Sequence, residues 1–404
     1  MNGVLGIFFS AFLIRARFLH VVKQPIGIGC DIHINSEISH KQPLVLKEIQ
    51  GNEKGYAFDE PDVEDDMFFK SGESVLLACP GSGFHDSNNT ELRVNCVQLR
   101  GFRDEINKEE RSFEQFKCNR LPESKLKREG QCAGNKSAFA IGFEVREAFV
   151  KIIDLCFDED TNSALYAVHK LTPNITGSQK DGYRISFKEG GLFPSFSANV
   201  AYNRDHQKYM FSKIISRSVA NQYINNYAFF ARGHLAPRAD FIFDSQQAAT
   251  FYYANVGPQW QSFNNGNWEK LESAIRKFVI NKQLELIVYT GTYGMYEING
   301  KKMFLTYDAA EQYKIPIPQI FWKILYDEKN ERAVVFVGLN DPYGDPYDNP
   351  AKKICSEDIC HLISWVSFKP NPKNGLMYCC EFYDFIETVK FLPPIGIVND
   401  VLYN

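Results

Sequence analysis

Apolar and polar positions change rhythm once along this chain. From residue 26 to about 155 they alternate in short runs broken by turns: CDIHI, PLVLKE, ESVLLACPGSGF, ELRVNCVQL and SAFAIGFEV. A period of two puts one face on a core and the other in water, so each run predicts a strand. From about 157 longer elements appear. ALYAVHKL reads as a strand, and DSQQAATFYYAN (244–255) suits a helix. NNGNWEKLESAIRKFVINK (264–282) is the clearest helix, with Trp268, Leu271, Ile275, Phe278 and Val279 on one apolar stripe. LELIVYTGTYG, FWKILYD and RAVVFVGLN return to strands, and Pro316 and Pro318 keep IPIP extended just before one of them. The pattern predicts an α+β fold, a sheet with packed helices, preceded by a small β module.

Cysteine placement sharpens that division. Ten are present, six before residue 160 and four after 354, with none between 157 and 354. An even count, with sequons at Asn88, Asn135 and Asn174, points to the secretory pathway, disulfides and glycosylation. Pairing is expected within each group. Residues 4–14, VLGIFFSAFLI, suit the apolar core of a signal peptide and are too short to span a bilayer. The expected layout is a signal peptide over 1–20, a cysteine-rich β module over 26–155, and a catalytic domain over 157–404 with a disulfide-bearing C-terminal extension. A zinc site from Cys355, Cys360, His361, Cys379 and Cys380 lacks the usual paired spacing, so disulfides are preferred.

Charge matters by location. The net charge of −4 gives no global attraction for a polyanion. Residues 48–66 hold eight acids against Lys54, whereas 201–238 hold Arg204, Lys208, Lys213, Arg217, Arg232 and Arg238 against Asp205. The second run would draw nucleic acid locally, although a charge run by itself is more often a solvated face.

That basic run leads into RGHLAPRADF (232–241) and NVGPQWQSFNNGNWEKLE (255–272). His234 is a candidate general base, since imidazole is readily neutral and basic near pH 7. Arg232, two residues away, points to the same side of an extended strand and can bind phosphate through its fork. Asn264 and Glu272 are eight apart, about 12 Å along a regular helix, too far to ligate one ion together directly. Asn264 suits a direct ligand and Glu272 a carboxylate acting through water. Taken singly, a helix cap explains Asn264 and a salt bridge to Arg276 explains Glu272.

Together, RGHLAP, NVGPQ and NNGNWEKLE resemble the DNA/RNA non-specific endonucleases, and are most similar to the secreted double-stranded ribonucleases of insects. The resemblance spans roughly residues 160–345, with LLACPG, SEDIC and YCC fitting the insect subgroup. It implies a ββα-metal fold in which His234 activates water and Asn264 is the protein ligand of Mg²⁺ (or Mn²⁺). It further implies that Glu272 orients water on the metal, Arg232 stabilises phosphate charge, and Asn255 holds the active-site loop. Arg184 is similar in place to a second phosphate-binding arginine. The family motif begins with aspartate where this chain has Ala231, and Asp240 is a nearby carboxylate that could substitute. The expected activity is Mg²⁺-dependent phosphodiester hydrolysis in nucleic acid, double-stranded RNA included, without membrane association. The alternatives are a secreted nucleic-acid-binding protein weakened in catalysis by Ala231, and a nuclease chiefly for DNA. Oligomeric state is not legible.

Overall fold

In the computed structural model the described residues are 29–49, 55–98, 101–180, 182, 185–344 and 354–404. The expected signal segment and Arg184 lie outside them. Among the described residues no helix is long and apolar enough to cross a membrane.

A large antiparallel sheet carries the molecule. Its order is Met377–Cys380, Arg332–Leu339, Ile320–Asp327, Leu286–Tyr293, Ser163–Leu171, Ala148–Asp158, Ser137–Val145 and Lys125–Gln131. Asp400–Val401 joins Arg332–Leu339 in parallel. Strand Ile320–Asp327 is buried along its whole length because it is covered on both faces. One face packs Trp322, Ile324 and Tyr326 against Phe385 and Val389 of the C-terminal extension. The other presents Phe321, Lys323 and Leu325 towards the long helix Glu269–Lys282. That helix buries Leu271, Ile275, Phe278 and Val279, and Trp268 beside them, as its periodicity predicts.

The boundary expected near 155 moves. It falls inside strand Ala148–Asp158, which pairs with Ser137–Val145 on one side and Ser163–Leu171 on the other. Hydrogen bonds on both edges make this strand part of the large sheet. The separate N-terminal sheet is shorter, with six strands in the order Gly55–Phe58, Leu44–Ile49, Ser74–Ala78, Glu91–Gln98, Gly101–Asp104 and Glu110–Ser112. The early disulfides are Cys30–Cys96, Cys79–Cys118 and Cys132–Cys156, and the late ones Cys355–Cys380 and Cys360–Cys379, so pairing stays within each group. The N-terminal part is tied to the rest by Glu60, which accepts from Thr172 at 2.8 Å and Asn174 at 3.0 Å, and by His40 against Asp244.

Two helical expectations change. The helix expected over 244–255 is only Asp244–Ala249, followed by a tight 3₁₀ turn at Tyr253–Asn255. The clearest helix is not regular at its start. Residues Asn264–Trp268 form a wide π turn, broken at Gly266, before the α-helix begins at Glu269. A Cβ at Gly266 would meet the Asn374 carbonyl oxygen at 2.6 Å, so only glycine lets the C-terminal loop approach. Asn267 locks this contact by donating to the Lys369 and Gly375 carbonyls at 2.9 and 2.7 Å and accepting from the Lys369 amide at 2.9 Å. The helices Arg204–Ile214 and Arg217–Tyr223 were hidden within the basic run. Their sequence signals are the caps Asn203 and Ser216 and the inward spacing of Gln207, Met210 and Phe211.

Candidate active site

Two short strands, Phe230–His234 and Val256–Trp260, form an antiparallel hairpin, and the π turn and long helix follow directly. This is a ββα unit. Within it Arg232 pairs with Pro258, Gly233 with Gly257 and His234 with Val256. Gly233 allows the close approach of the two strands: a Cβ there would meet Gln259 Cβ at 2.6 Å.

Arg232 and His234 do lie on one side of their strand. Both meet the same ring: the Arg232 guanidinium carbon is 5.4 Å from the Phe187 centroid, and the His234 ring is 5.4 Å from it. Phe251 closes the imidazole from another direction, edge to face at 5.3 Å. Arg232 also faces the rings of Tyr202 and Tyr253, and donates to the Tyr253 hydroxyl at 3.1 Å and Asn199 Oδ1 at 3.0 Å. An aromatic cage with two neutral acceptors aims the guanidinium without neutralising it, which suits a phosphate ligand.

Asn255 is fully buried and holds the chain just after His234. Its Oδ1 accepts from the Ala236 amide at 3.0 Å, and its Nδ2 donates to the carbonyls of Ala236 at 2.9 Å and Thr250 at 3.0 Å. It positions the loop rather than touching substrate. Asn255→Ala leaves the buried amide and carbonyl of Ala236 unpaired, whereas the Thr250 carbonyl still accepts from the Tyr252 amide at 3.0 Å. The expected loss is about 2–4 kcal/mol of stability together with reduced turnover, read by chemical denaturation and rate on one preparation. Unchanged stability would remove this role.

Asn264 is half-buried at the first position of the π turn. Its side-chain Nδ2 donates to Asn265 Oδ1 at 3.2 Å, and its side-chain Oδ1 accepts nothing among the described residues. Glu272 is half-buried within the first turns of the α-helix that follows, and no hydrogen bond to its carboxylate occurs among the described residues. Desolvation pushes its pKa up to about 7, against the pull of Lys323 and Arg276 and with a further push from Asp240. The i+4 salt bridge considered for Glu272 does not form, because Arg276 Nη1 pairs with Asp240 at 2.8 Å.

Asp240 does not replace the carboxylate missing at Ala231. One oxygen takes Arg276 and the other takes His169 Nε2 at 2.9 Å. Burial opposes its charge, but the His169 hydrogen bond and the charges of Arg276 and Lys323 hold its pKa below the ordinary carboxylate range. Burial drives His169 the other way, towards the neutral form. Ala231 itself faces Gln259 across the hairpin.

Lys323 and Gln259 escaped the sequence reading, and Arg276 takes a different partner from the one expected. Lys323 lies in the core, donating to Thr290 Oγ1, with its ammonium 5.3 Å from the Trp268 ring centroid. Desolvation lowers its pKa, and Glu272 and Asp240 oppose that fall. Arg276 bridges to Asp240. Gln259 is fully buried, and neither of its amide atoms is hydrogen-bonded among the described residues. A lysine inside the apolar strand FWKILYD was the one available signal, since a buried cation must face an anion.

Among the described residues the one group of three His, Cys, Asp or Glu ligand atoms close enough to share an ion is Asp358 with Cys360 and Cys379, and those cysteines form a disulfide.

The titration direction of Glu272 gives a testable pH dependence. An acid with a raised pKa ionises late, so a step needing the carboxylate is lost as pH falls through about 7. The acid limb of kcat/KM should therefore carry one proton from Glu272, and it should be altered in Glu272→Gln. A single-proton limb that persists unchanged in Glu272→Gln would exclude Glu272 from the titration.

Residues 134–385, more than half of the chain, match the model of the DNA/RNA non-specific endonuclease family. A salivary endonuclease of Lutzomyia longipalpis is 27% identical over 334 residues, covering 82% of this chain and 76% of its own. A salivary endonuclease of Culex quinquefasciatus is 25% identical and covers 92% of each chain. Human mitochondrial endonuclease G is 28% identical over 184 residues, 45% of this chain and 52% of its own.

Proposed function

We propose that this chain, which belongs to the DNA/RNA non-specific endonuclease family, is a secreted Mg²⁺-dependent endonuclease that cuts double-stranded RNA among its substrates. The observation that carries the reading is the ββα unit, which puts Arg232 and His234 on one side over Phe187 and follows them with Asn264 and Glu272.

The donor set fits a hydrated hard cation. It offers one half-buried amide oxygen that accepts no hydrogen bond and one carboxylate without a hydrogen-bond partner, both among the described residues. Asn264 would hold the ion, and the bound ion would supply charge to stabilise the leaving oxygen. Neutral His234 takes the proton from the attacking water. Arg232, pre-aimed by Asn199 and Tyr253, binds the non-bridging phosphate oxygens as negative charge grows. Glu272, once ionised, accepts a hydrogen bond from water and fixes its orientation. Arg184 is proposed as a second phosphate contact. The water oxygen bonds to phosphorus as the P–O3′ bond breaks, and the leaving oxygen takes a proton from solvent, so the products would be a 5′-phosphate and a 3′-hydroxyl. Phosphate contacts read no base edges, which accounts for low sequence preference.

Five disulfides and the salivary relatives support secretion. Of the sequons, Asn88 and Asn135 are exposed, whereas Asn174 is half-buried and bonded to Glu60. Ala231 favours a second reading, a binder that no longer turns over.

Incubating the purified protein with double-stranded RNA or DNA, with Mg²⁺ or chelator, tests all of this on one gel. Fragmentation of RNA duplex with Mg²⁺ alone is expected. Binding without fragmentation would select the second reading, and cutting of DNA alone would correct the substrate.

A further inference from the structure

We propose that the outer face of helix Arg204–Ile214, continued by Arg217, is an extension of the substrate track that grips the sugar–phosphate backbone of a long duplex away from the scissile bond. This rests on the nuclease reading above and adds a surface to it.

The helix is built onto the catalytic strand. Gln207, completely buried, accepts from the Phe230 amide at 2.9 Å and donates to the Phe230 carbonyl at 2.9 Å. Phe230 lies two residues before Arg232. The segment leading into the helix supplies Asn199 and Tyr202, which hold the Arg232 guanidinium. The helix is therefore held in a fixed position relative to Arg232.

The exposed half of the helix is basic and aromatic. Arg204 and Lys208 form one i, i+4 row, and Tyr209 and Lys213 the adjoining one. From Arg204 to Lys213 the rows run roughly 13 Å, several nucleotide steps along a strand. Tyr209 is 50% exposed, its hydroxyl 3.2 Å from that of Tyr307, and Lys213 Nζ lies 3.7 Å from the Tyr307 ring centroid. Tyrosine hydroxyls and ammonium groups are the usual donors to phosphate and sugar oxygens.

Charge accounting separates this face from the rest. In the N-terminal sheet Lys47, Arg93, Arg103 and Arg111 all sit in ion pairs with carboxylates. Lys208, Lys213 and Arg217 are exposed and pair with no carboxylate among the described residues. Asp205 stands at the start of the helix, where it favours the dipole, and Glu311 acts on Tyr209. Three unneutralised cations on a net-acidic chain, in register with a phosphate-binding arginine, match a polyanion's backbone.

The test uses the triple variant Lys208→Gln, Lys213→Gln, Arg217→Gln in the full chain. Affinity for an RNA duplex of about 300 base pairs, measured in chelator so that nothing is cut, should fall about tenfold near physiological salt. The slope of log affinity against log salt should drop by about 2.7, at about 0.9 for each phosphate that the variant no longer neutralises. With Mg²⁺, KM on the long duplex should rise similarly while kcat, and kcat/KM on a duplex of about 10 base pairs, stay unchanged. An unaltered salt slope, or a rate loss of equal size on the short duplex, would overturn the proposal. If the unaltered protein binds but does not cut, the nuclease reading fails while the affinity comparison still judges this surface.

Discussion

Replacing His234 by alanine is expected to lower turnover by about 10³-fold or more while duplex affinity in chelator stays within about threefold. The imidazole stands between Phe187 and Phe251, whose rings pack against it at 5.4 and 5.3 Å. Its removal leaves Arg232 in place, since that guanidinium is held by Asn199, Tyr253 and three aromatic rings rather than by the histidine. On the proposed mechanism, phosphate binding and proton transfer are thus assigned to separable groups. Rate and affinity measured on the same variant check this. A rate within about tenfold of the parent would remove His234 as base, and an equal loss of affinity would mean the ring supports the groove instead.

Asn264→Ala carries the second large effect. At limiting Mg²⁺, near 1 mM, activity should fall about 100-fold, and half-maximal activation should need at least about tenfold more metal. Substitution by alanine should not unfold the turn, because Asn267, Gly266 and the 369–375 loop fix it independently of Asn264. Asn264→Asp keeps an oxygen at the same place and adds charge, so it should retain metal at lower concentrations than the alanine variant. A metal titration identical to the parent's in Asn264→Ala would move the ligand elsewhere. Unchanged thermal stability in all three proteins separates metal loss from unfolding.

Period-two runs marked the strands, and the stripe from Trp268 to Val279 marked the buried face of the long helix, because both periodicities are local properties of the backbone. The RGH and NNGNWEKLE segments carried the family in the same way, as short motifs held on one hairpin and the helix after it. The pairing of cysteines within two groups was also legible, from their clustering along the chain.

Other features depended on distant residues. Strand Ala148–Asp158 belongs to the large sheet because Ser163–Leu171 pairs with its free edge, so the domain boundary could not be drawn from composition. The π turn at Asn264 exists because the loop ending at Gly375 presses on Gly266 from about a hundred residues away, and a regular helix was the natural local expectation. Asp240 was a plausible substitute for the missing acid until His169 and Arg276 were seen to occupy both of its oxygens. Sequence by itself determined which chemical groups this protein possesses and the secondary structure that carries them. Only tertiary packing decided their charge states and partners, because burial and long-range ion pairing bring together side chains far apart in the chain, as Lys323, Glu272 and Asp240 are.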